Sequence, residues 1–334
     1  MKSSLIFVLL LNVFVSYGAF DDSLTYFTRF KEKIVLYADF GYASAPFIIK
    51  YPFAGEIKKI HYKNNFNPVI GFGGAYKWFS LRLSFALKGT SRSKKNFGNT
   101  RFFDIGINFQ IKKWFFEVDA KNYIGYSIKN AYKWNDTLNK LKPNDIRPNT
   151  NAISLSINTW YFANRHFNMP SIMGKTGHYE RRLGTFYLKP TFVIHGISNS
   201  EKSVIPNDLI DSLVDKTSSD VFYSVDLGAV PGYAYVDRIK NWQFSAFFGL
   251  GLVAQAKFYN VNYYQRGFLG LAPRYDIRIG GGYTVPAYFV FLNLEFDNKS
   301  IKFGELKYRQ SFYNVRLTAG FRIDTRKTRA KLSL

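Results

Sequence analysis

The sequence predicts an all-β chain: a transmembrane antiparallel up-and-down β-barrel of about twelve strands, with fourteen as the alternative. Three observations carry this. Apolar and polar residues alternate over long runs, as between Arg101 and Tyr126, where Phe103, Ile105, Ile107, Phe109 and Ile111 share one face and Asp104, Gly106, Asn108 and Gln110 the other. Period two means strand, and an aromatic and aliphatic face opposite a charged one suits a wall between lipid and a polar lumen. The 334 residues include 34 Phe and 24 Tyr, yet no run of the ~20 apolar residues that a membrane helix needs. Short connections also alternate with long ones, the parity of a barrel with tight turns at one end and loops at the other. A soluble β-sandwich would alternate too, but its outward face would be polar.

The chain opens on a short apolar run, Leu5 to Val15, broken only by Asn12; it follows Lys2 and precedes Ser16-Tyr17-Gly18-Ala19. This reads as a secretory signal peptide over residues 1–18, with an amphipathic first strand as the alternative. Residues 19–32 form a polar periplasmic lead, 33–324 the barrel and 325–334 a basic C-terminal tail. The first strand is expected near Lys33 to Tyr42. Ala43 to Asn67 is a long segment punctuated by Pro46, Pro52 and Gly55, with room for small strands at Phe47 to Tyr51 and Ile57 to Tyr62. Val69 to Tyr76 turns at Lys77-Trp78 into the cleanest alternation of the chain: Phe79, Leu81, Leu83, Phe85 and Leu87 outward, Arg82 inward. The hairpin Arg101 to Tyr126 follows, turning at Lys112-Lys113.

Further strands are expected at Ala152 to Phe162, Thr185 to Ile197, Val221 to Tyr235, Trp242 to Lys257, Leu269 to Tyr283, Ala287 to Asp297 and Tyr313 to Ile323. Asn164 to Leu183 alternates poorly and contains Pro170. As one long periplasmic excursion it leaves twelve strands; as a strand pair it makes fourteen. The last strand, with Gly320-Phe321, resembles the C-terminal signal by which outer-membrane barrels are recognised for insertion, although a basic tail follows it.

With the strands placed, three stretches stand out: His166-Phe167-Asn168, Tyr179-Glu180-Arg181-Arg182-Leu183-Gly184-Thr185-Phe186, and Pro231-Gly232-Tyr233-Ala234-Tyr235 with Asn241-Trp242. On these the mature chain resembles a family of outer-membrane β-barrels of unknown function from Bacteroidetes. Asn168 and Thr185 stand where the family pattern has serine. The resemblance implies fold and compartment, the outer membrane of a Gram-negative bacterium with periplasmic termini and extracellular long loops; it implies no catalytic residue.

The chain lacks cysteine, which excludes disulfides, a lipoprotein anchor and thiol chemistry. A net charge of +23 raises nucleic acid as a partner, but export argues against it. The expected partners are outer-membrane lipid and lipopolysaccharide, the barrel-assembly machinery during insertion, and a small anionic solute. A compositional bias toward Lys and Asn accounts for the charge equally well. Four histidines, His61, His166, His178 and His195, show no metal-ligand spacing, and the glycine clusters lie within strands rather than before helices, so no cofactor is expected.

The candidate functional residues are therefore inward charges: Arg82, Asp104, Glu117, Asp119, Lys121, Asp226, Arg274, Asp276, Arg278, Glu295, Asp297, Arg316 and Arg322. Two roles fit them, a filling of ion pairs or a charged ring selecting anions. A passive or narrow pore-type barrel, or a structural and surface-interaction protein, is the expected function. The long loops Ala43 to Asn67, Ser127 to Pro148 and Ser198 to Ser219 would make the surface contacts. Asp22-Ser23-Leu24, Asp136-Thr137-Leu138 and Asp211-Ser212-Leu213 resemble a three-residue O-glycosylation motif. The alternative is an outer-membrane lipid-modifying hydrolase or acyltransferase, with His166, His178, Ser171 and Glu180 in the ambiguous segment as its only candidates. His195 shares the inward face of Lys189 and Thr191, the wrong face for lipid chemistry.

Overall fold

The computed structural model describes residues 26–53, 57–65, 68–87, 93–261 and 264–325; the expected signal peptide and all of the basic tail except Thr325 lie outside them. In chain order the strands begin with β1 (Phe27–Arg29), β2 (Lys33–Ser44), β3 (Phe47–Lys50), β4 (Lys59–Lys63), β5 (Pro68–Tyr76), β6 (Phe79–Ala86), β7 (Arg101–Ile111) and β8 (Trp114–Ile128). They continue with β9 (Asp145–Phe162), β10 (Gly177–Tyr179), β11 (Leu183–Asn199), β12 (Val221–Ile239), β13 (Trp242–Val261), β14 (Tyr264–Thr284), β15 (Tyr288–Phe303) and β16 (Leu306–Asp324). Two single-turn helices, α1 (Lys94–Phe97) and α2 (Met169–Ile172), lie between β6 and β7 and between β9 and β10.

Fourteen strands share one sheet; setting aside the short β3 and β4, twelve of them close an antiparallel ring. The ring closes where β16 meets β2, from Asp324↔Lys33 to Tyr313↔Ser44. Closure gives the first and last strands partners, the condition for a sheet to sit in hydrocarbon. Along each wall strand the alternation sorts side chains by face. On β2, Ile34, Leu36 and Phe40 are exposed while Val35, Tyr37 and Asp39 are buried; on β6, Leu81, Leu83 and Phe85 are exposed while Ser80, Arg82 and Ser84 are buried. Repeated around the ring, this makes an apolar belt that water cannot stabilise and lipid can. The chain is a transmembrane β-barrel, and no helix among the described residues is long and apolar enough to cross a membrane.

One end carries two-residue turns at Lys77-Trp78, Lys112-Lys113 and Lys240-Asn241, each opening on a lysine with φ of 53°, 53° and 56°. Trp114 against Tyr161 and Trp242 against Tyr283 begin an aromatic girdle there, with ring centroids 5.0 and 5.6 Å apart, as suits side chains with one apolar and one wet edge. Even strand number returns the chain to this turn end.

Residues 164–183 are not a strand pair. They fold back into the turn-end mouth as a plug: α2 is capped by Asn168, which accepts from the Ser171 backbone N–H at 3.0 Å, and β10 pairs with β1 of the lead, Phe27↔Tyr179 to Arg29↔Gly177. Phe167, Met169, Ile172 and Tyr179 are buried against Phe115, Trp160, Phe162, Tyr187 and Phe247 of the wall. Proline at the first turn of α2 and the short apolar run explain the broken alternation: these residues pack into a mouth rather than along a wall.

The loop end departs further from expectation. Strand β9 starts at Asp145 rather than Ala152, β13 runs on to Val261 rather than Lys257, and β15 and β16 extend to Phe303 and back to Leu306 rather than stopping at Asp297 and starting at Tyr313. β12 runs on to Ile239 rather than ending at Tyr235, so the β12–β13 turn is two residues. Above the belt these strands lose their apolar outward face, so the alternation that marks them in the sequence disappears. β3 and β4 form a hairpin that inserts between β16 and β8, with Lys307↔Lys50 on one side and Tyr62↔Ile128 on the other. Phe47 stacks on Tyr62 at 4.2 Å, and together with Ile49, Ile60, Tyr126, Val204, Leu209, Phe222 and Tyr308 they build an apolar cap over the loop end.

Candidate functional site

Between plug and cap lies a chamber lined by the inward charges. A twelve-stranded ring is wider than the eight-stranded barrel whose lumen side chains just fill, so only long residues reach across, and those are the residues found. Arg278 of β14 donates to both Glu117 carboxylate oxygens on β8, at 2.9 and 2.7 Å. These two strands are not neighbours, so the pair braces the lumen. Arg278 also donates to Asp276 Oδ1 at 3.3 Å and lies 3.9 Å from Glu295. Asp276 collects Lys189 Nζ at 3.0 Å, the Tyr187 hydroxyl at 2.9 Å and Trp160 Nε1 at 3.2 Å. Arg278 and Lys189 each lie 4.6 Å from the Trp160 ring, adding cation–π attraction.

A second group occupies the wall near β2. Arg82 bonds Asp104 at 2.8 Å and Asp119 at 3.4 Å; Arg316 reaches Glu295 at 3.4 Å and Asp104 at 3.9 Å. Lys121 lies beside them, paired in register with Asp104. A third group lies toward the cap. Asp226 is bonded by Arg274, by Gln255 at 3.0 Å and by His195 Nε2 at 3.2 Å, while Lys299 bonds Ser154 and approaches Asp297 at 3.5 Å. Arg322 alone among the expected lumen charges is elsewhere: it is buried in the plug seam, donating to the Lys175, Gly174, Val285 and Tyr288 carbonyls. Its strand position is inward, but the plug occupies that level.

The chamber groups pair with one another rather than presenting a free ring of one sign. Burying such charges is tolerable where opposite charges and further donors or acceptors stand close. The cavity among them is about 60 Å³, room for a few water molecules.

Trp160, Tyr187, Lys299, Gln243 and Gln255 complete this network and were not among the expected site residues. An aromatic residue at an inward position of a polar face is the one sequence signal that could have found Trp160 and Tyr187. Gln243 ties the plug to the wall, accepting from Tyr179 N–H at 2.8 Å and donating to the Ser171 and Ile172 carbonyls at 2.9 and 2.8 Å.

Among the described residues no acyl-transfer geometry forms. Ser171 Oγ is bonded to the Asn168 cap at 2.6 Å, and His178 faces Glu180 at 2.7 Å. Ser224 Oγ does lie 2.9 Å from His195 Nε2, but Asp226 contacts the same nitrogen and Nδ1 has no partner. A catalytic triad needs the acid on the nitrogen opposite the serine, and all three groups here are fully buried. Among the described residues no cluster of His, Cys, Asp or Glu could hold a metal ion.

The expected motif residues gather at the turn end. Phe167 is buried in the plug; Thr185 Oγ1 accepts from Asn164 N–H at 3.0 Å; Phe186 meets Tyr233 edge-on at 5.1 Å. A Cβ on Gly184 would sit 1.9 Å from the Tyr233 hydroxyl, and one on Gly232 2.5 Å from that of Tyr187, so both glycines make room for tyrosines. Asn241 donates to Tyr283 at 3.2 Å, Arg238 reaches Glu180 at 3.4 Å, and Trp242, Arg181 and Arg182 lie at the surface. Of the motif, Phe167, Glu180 and Thr185 tie the plug to the wall.

Residues 21–323 match the family described as a domain of unknown function, DUF4421. The protein belongs to this family. No curated protein matches the chain. Among solved structures, the outer membrane protease OmpT from Escherichia coli aligns at TM-score 0.38 and 9% identity over 89% of this chain and 98% of that one. The translocator domain of the autotransporter NalP from Neisseria meningitidis aligns at TM-score 0.30 and 9% identity, over 96% and 95%. The toluene transporter TodX from P. putida aligns at 0.28 and 8%, over 88% and 90%. Likeness at this level carries no argument about what the DUF4421 chain does.

Proposed function

We propose that this DUF4421 protein is an outer-membrane barrel that is sealed end to end at rest, with its termini and plug in the periplasm and its capped loop end outside, and that it acts through its outer surface rather than as an open pore. One observation carries the reading: plug, paired chamber and apolar cap lie in series along a single axis, so an ion would have to break three separate sets of contacts to cross. A porin needs a wet channel with charges free to act on solutes; here the charges are spent on each other. The cap's outer side, built from residues 129–144 and 200–220 with exposed Lys, Asn and Asp, is the surface offered to lipopolysaccharide or another partner.

The test is conductance of the refolded protein in a planar bilayer. The wild-type protein should give no steady steps, and the double variant Gln243→Ala/Arg322→Ala, which unties the plug, should give only brief, noisy openings because chamber and cap remain. Frequent discrete steps with anion preference from the wild-type protein would overturn the reading.

A further inference from the structure

The ring is unevenly zipped. β14 pairs with β13 along its whole length, from Trp242↔Tyr283 to Val261↔Tyr264, and β15 pairs with β16 from Tyr288↔Phe321 to Phe303↔Leu306. β14 and β15, however, pair with each other only from Thr284↔Phe289 to Ile277↔Phe296. Beyond that point residues 264–276 and 297–303 have no ladder between them. The break begins inside the apolar belt: Ile277 lies in register with Phe248 on β13, and Phe248, Leu250 and Leu252 beyond it are 62%, 53% and 61% exposed. Unpaired strand backbone facing hydrocarbon is costly, and here side chains stand in for the ladder. Arg274 donates to the Asn298 carbonyl, Gln255 to the Ser300 carbonyl at 2.8 Å, and Tyr275 N–H to Asn298 Oδ1 at 3.2 Å.

The chamber cavity reaches this break. Its lining includes Asp276, Arg278 and Asp297 from inside and also Tyr275, Ile277 and Phe296, the residues flanking the end of the ladder on the lipid side. Three of the chamber's cations are shielded, the side chains of Arg274, Lys299 and Lys189 being 4%, 3% and 10% exposed, whereas that of Asp297 is 44% exposed with Lys299 at 3.5 Å as an ion-pair partner.

We propose that the β14–β15 seam is a lateral entrance to the chamber for an amphiphile with a primary ammonium head. The acyl or alkyl chain lies on the outer face of β13 along Phe248, Leu250 and Leu252, and the ammonium group passes between Tyr275 and Phe296 to the Asp297 carboxylate. The cavity's about 60 Å³ matches a small head group and not a chain. The sealed-pore reading closes the barrel along its axis; this entrance lies across the axis, so conductance and head-group binding fail separately.

The test uses the full refolded barrel in phosphatidylcholine nanodiscs with dodecylamine carrying a mid-chain diazirine, and maps the photo-adducts by mass spectrometry. Adducts should concentrate on β14 and β15 at the seam and on the adjoining β13, should be competed by unlabelled dodecylamine and not by dodecyl sulfate or dodecyl maltoside, and should fall at least tenfold in Asp297→Asn but persist in Asp297→Glu. A second pair, Tyr275→Cys/Asn298→Cys in this cysteine-free chain, should lose the adducts when oxidised to a disulfide and regain them on reduction. Competition by phosphatidylethanolamine would assign the site to a lipid head group, and competition by short alkylamines alone to a free amine; either supports the entrance. Adducts spread evenly round the belt, or indifferent to head charge and to Asp297, would overturn it. Heat-modifiable migration on gels confirms that each variant is folded.

Discussion

At the scale of single residues, the chamber illustrates why buried charge is weak evidence for stability and strong evidence for interdependence. Removing one member of a buried pair leaves the other uncompensated, at a cost of about 3–5 kcal/mol, whereas removing both is far milder. Arg278 and Glu117 make the cleanest case, with side chains 15% and 8% exposed. Arg278→Met should therefore lower unfolding stability in lipid vesicles by about 3 kcal/mol or more, and Arg278→Met/Glu117→Leu should recover more than half of that loss. Equal, additive losses in the double-mutant cycle would mean the two groups are separately hydrated. The charges themselves were legible in the sequence because each sits at an inward phase of an alternating strand. Their partners were not: Glu117 and Arg278 are 161 positions apart, and only ring closure makes them face each other.

At the scale of elements, the plug is where pH should act. Burial above all holds the His178 imidazole below its ordinary range; Arg238 and Arg322 add to this against the pull of Glu180. Burial would raise the Glu180 carboxyl, but hydrogen bonds from Thr28 and His178 and the nearby charges outweigh it and hold it below the usual carboxylate range. Both groups thus bind fewer protons in the plugged state than in the loosened one. Their contribution is complete above the ordinary values, about 6.5 and 4.3, and is lost as pH falls through the depressed ones. Amide exchange over residues 164–182 should quicken on moving from pH 7.5 to pH 4, after correction for the intrinsic rate, with the barrel strands unaffected. Slower corrected exchange in acid would contradict this. The element was visible in the sequence only as a failure of alternation, since a segment packed into a mouth obeys neither the strand nor the helix period.

The cap makes the companion case. The twelve-strand ring closes through β2 and β16 without β3 and β4, so the hairpin is an addition to the ring and not a part of it. Replacing residues 45–66 by a short Gly-Ser linker should leave a barrel that still migrates faster unheated than heated on gels. Its thermal midpoint should fall, because Phe47, Ile49, Ile60 and Tyr62, all buried, leave the cap. Failure to form any heat-modifiable species would show that the ring depends on the hairpin.

At the scale of the molecule, the alternating pattern by itself determined the class of fold, narrowed the wall to twelve or fourteen strands, and assigned the lipid-facing side of each. It could do so because lipid imposes one rule, an apolar outward face at period two, on every strand in the belt. Only the tertiary structure decided what fills the ring. The plug, the cap hairpin, the cross-lumen pairs and the unzipped β14–β15 seam all arise where the lipid rule does not reach: in mouths, above the belt, or between strands distant in the chain. There the outcome depends on which side chains meet across a closed ring, and that is a property of closure rather than of any stretch of sequence.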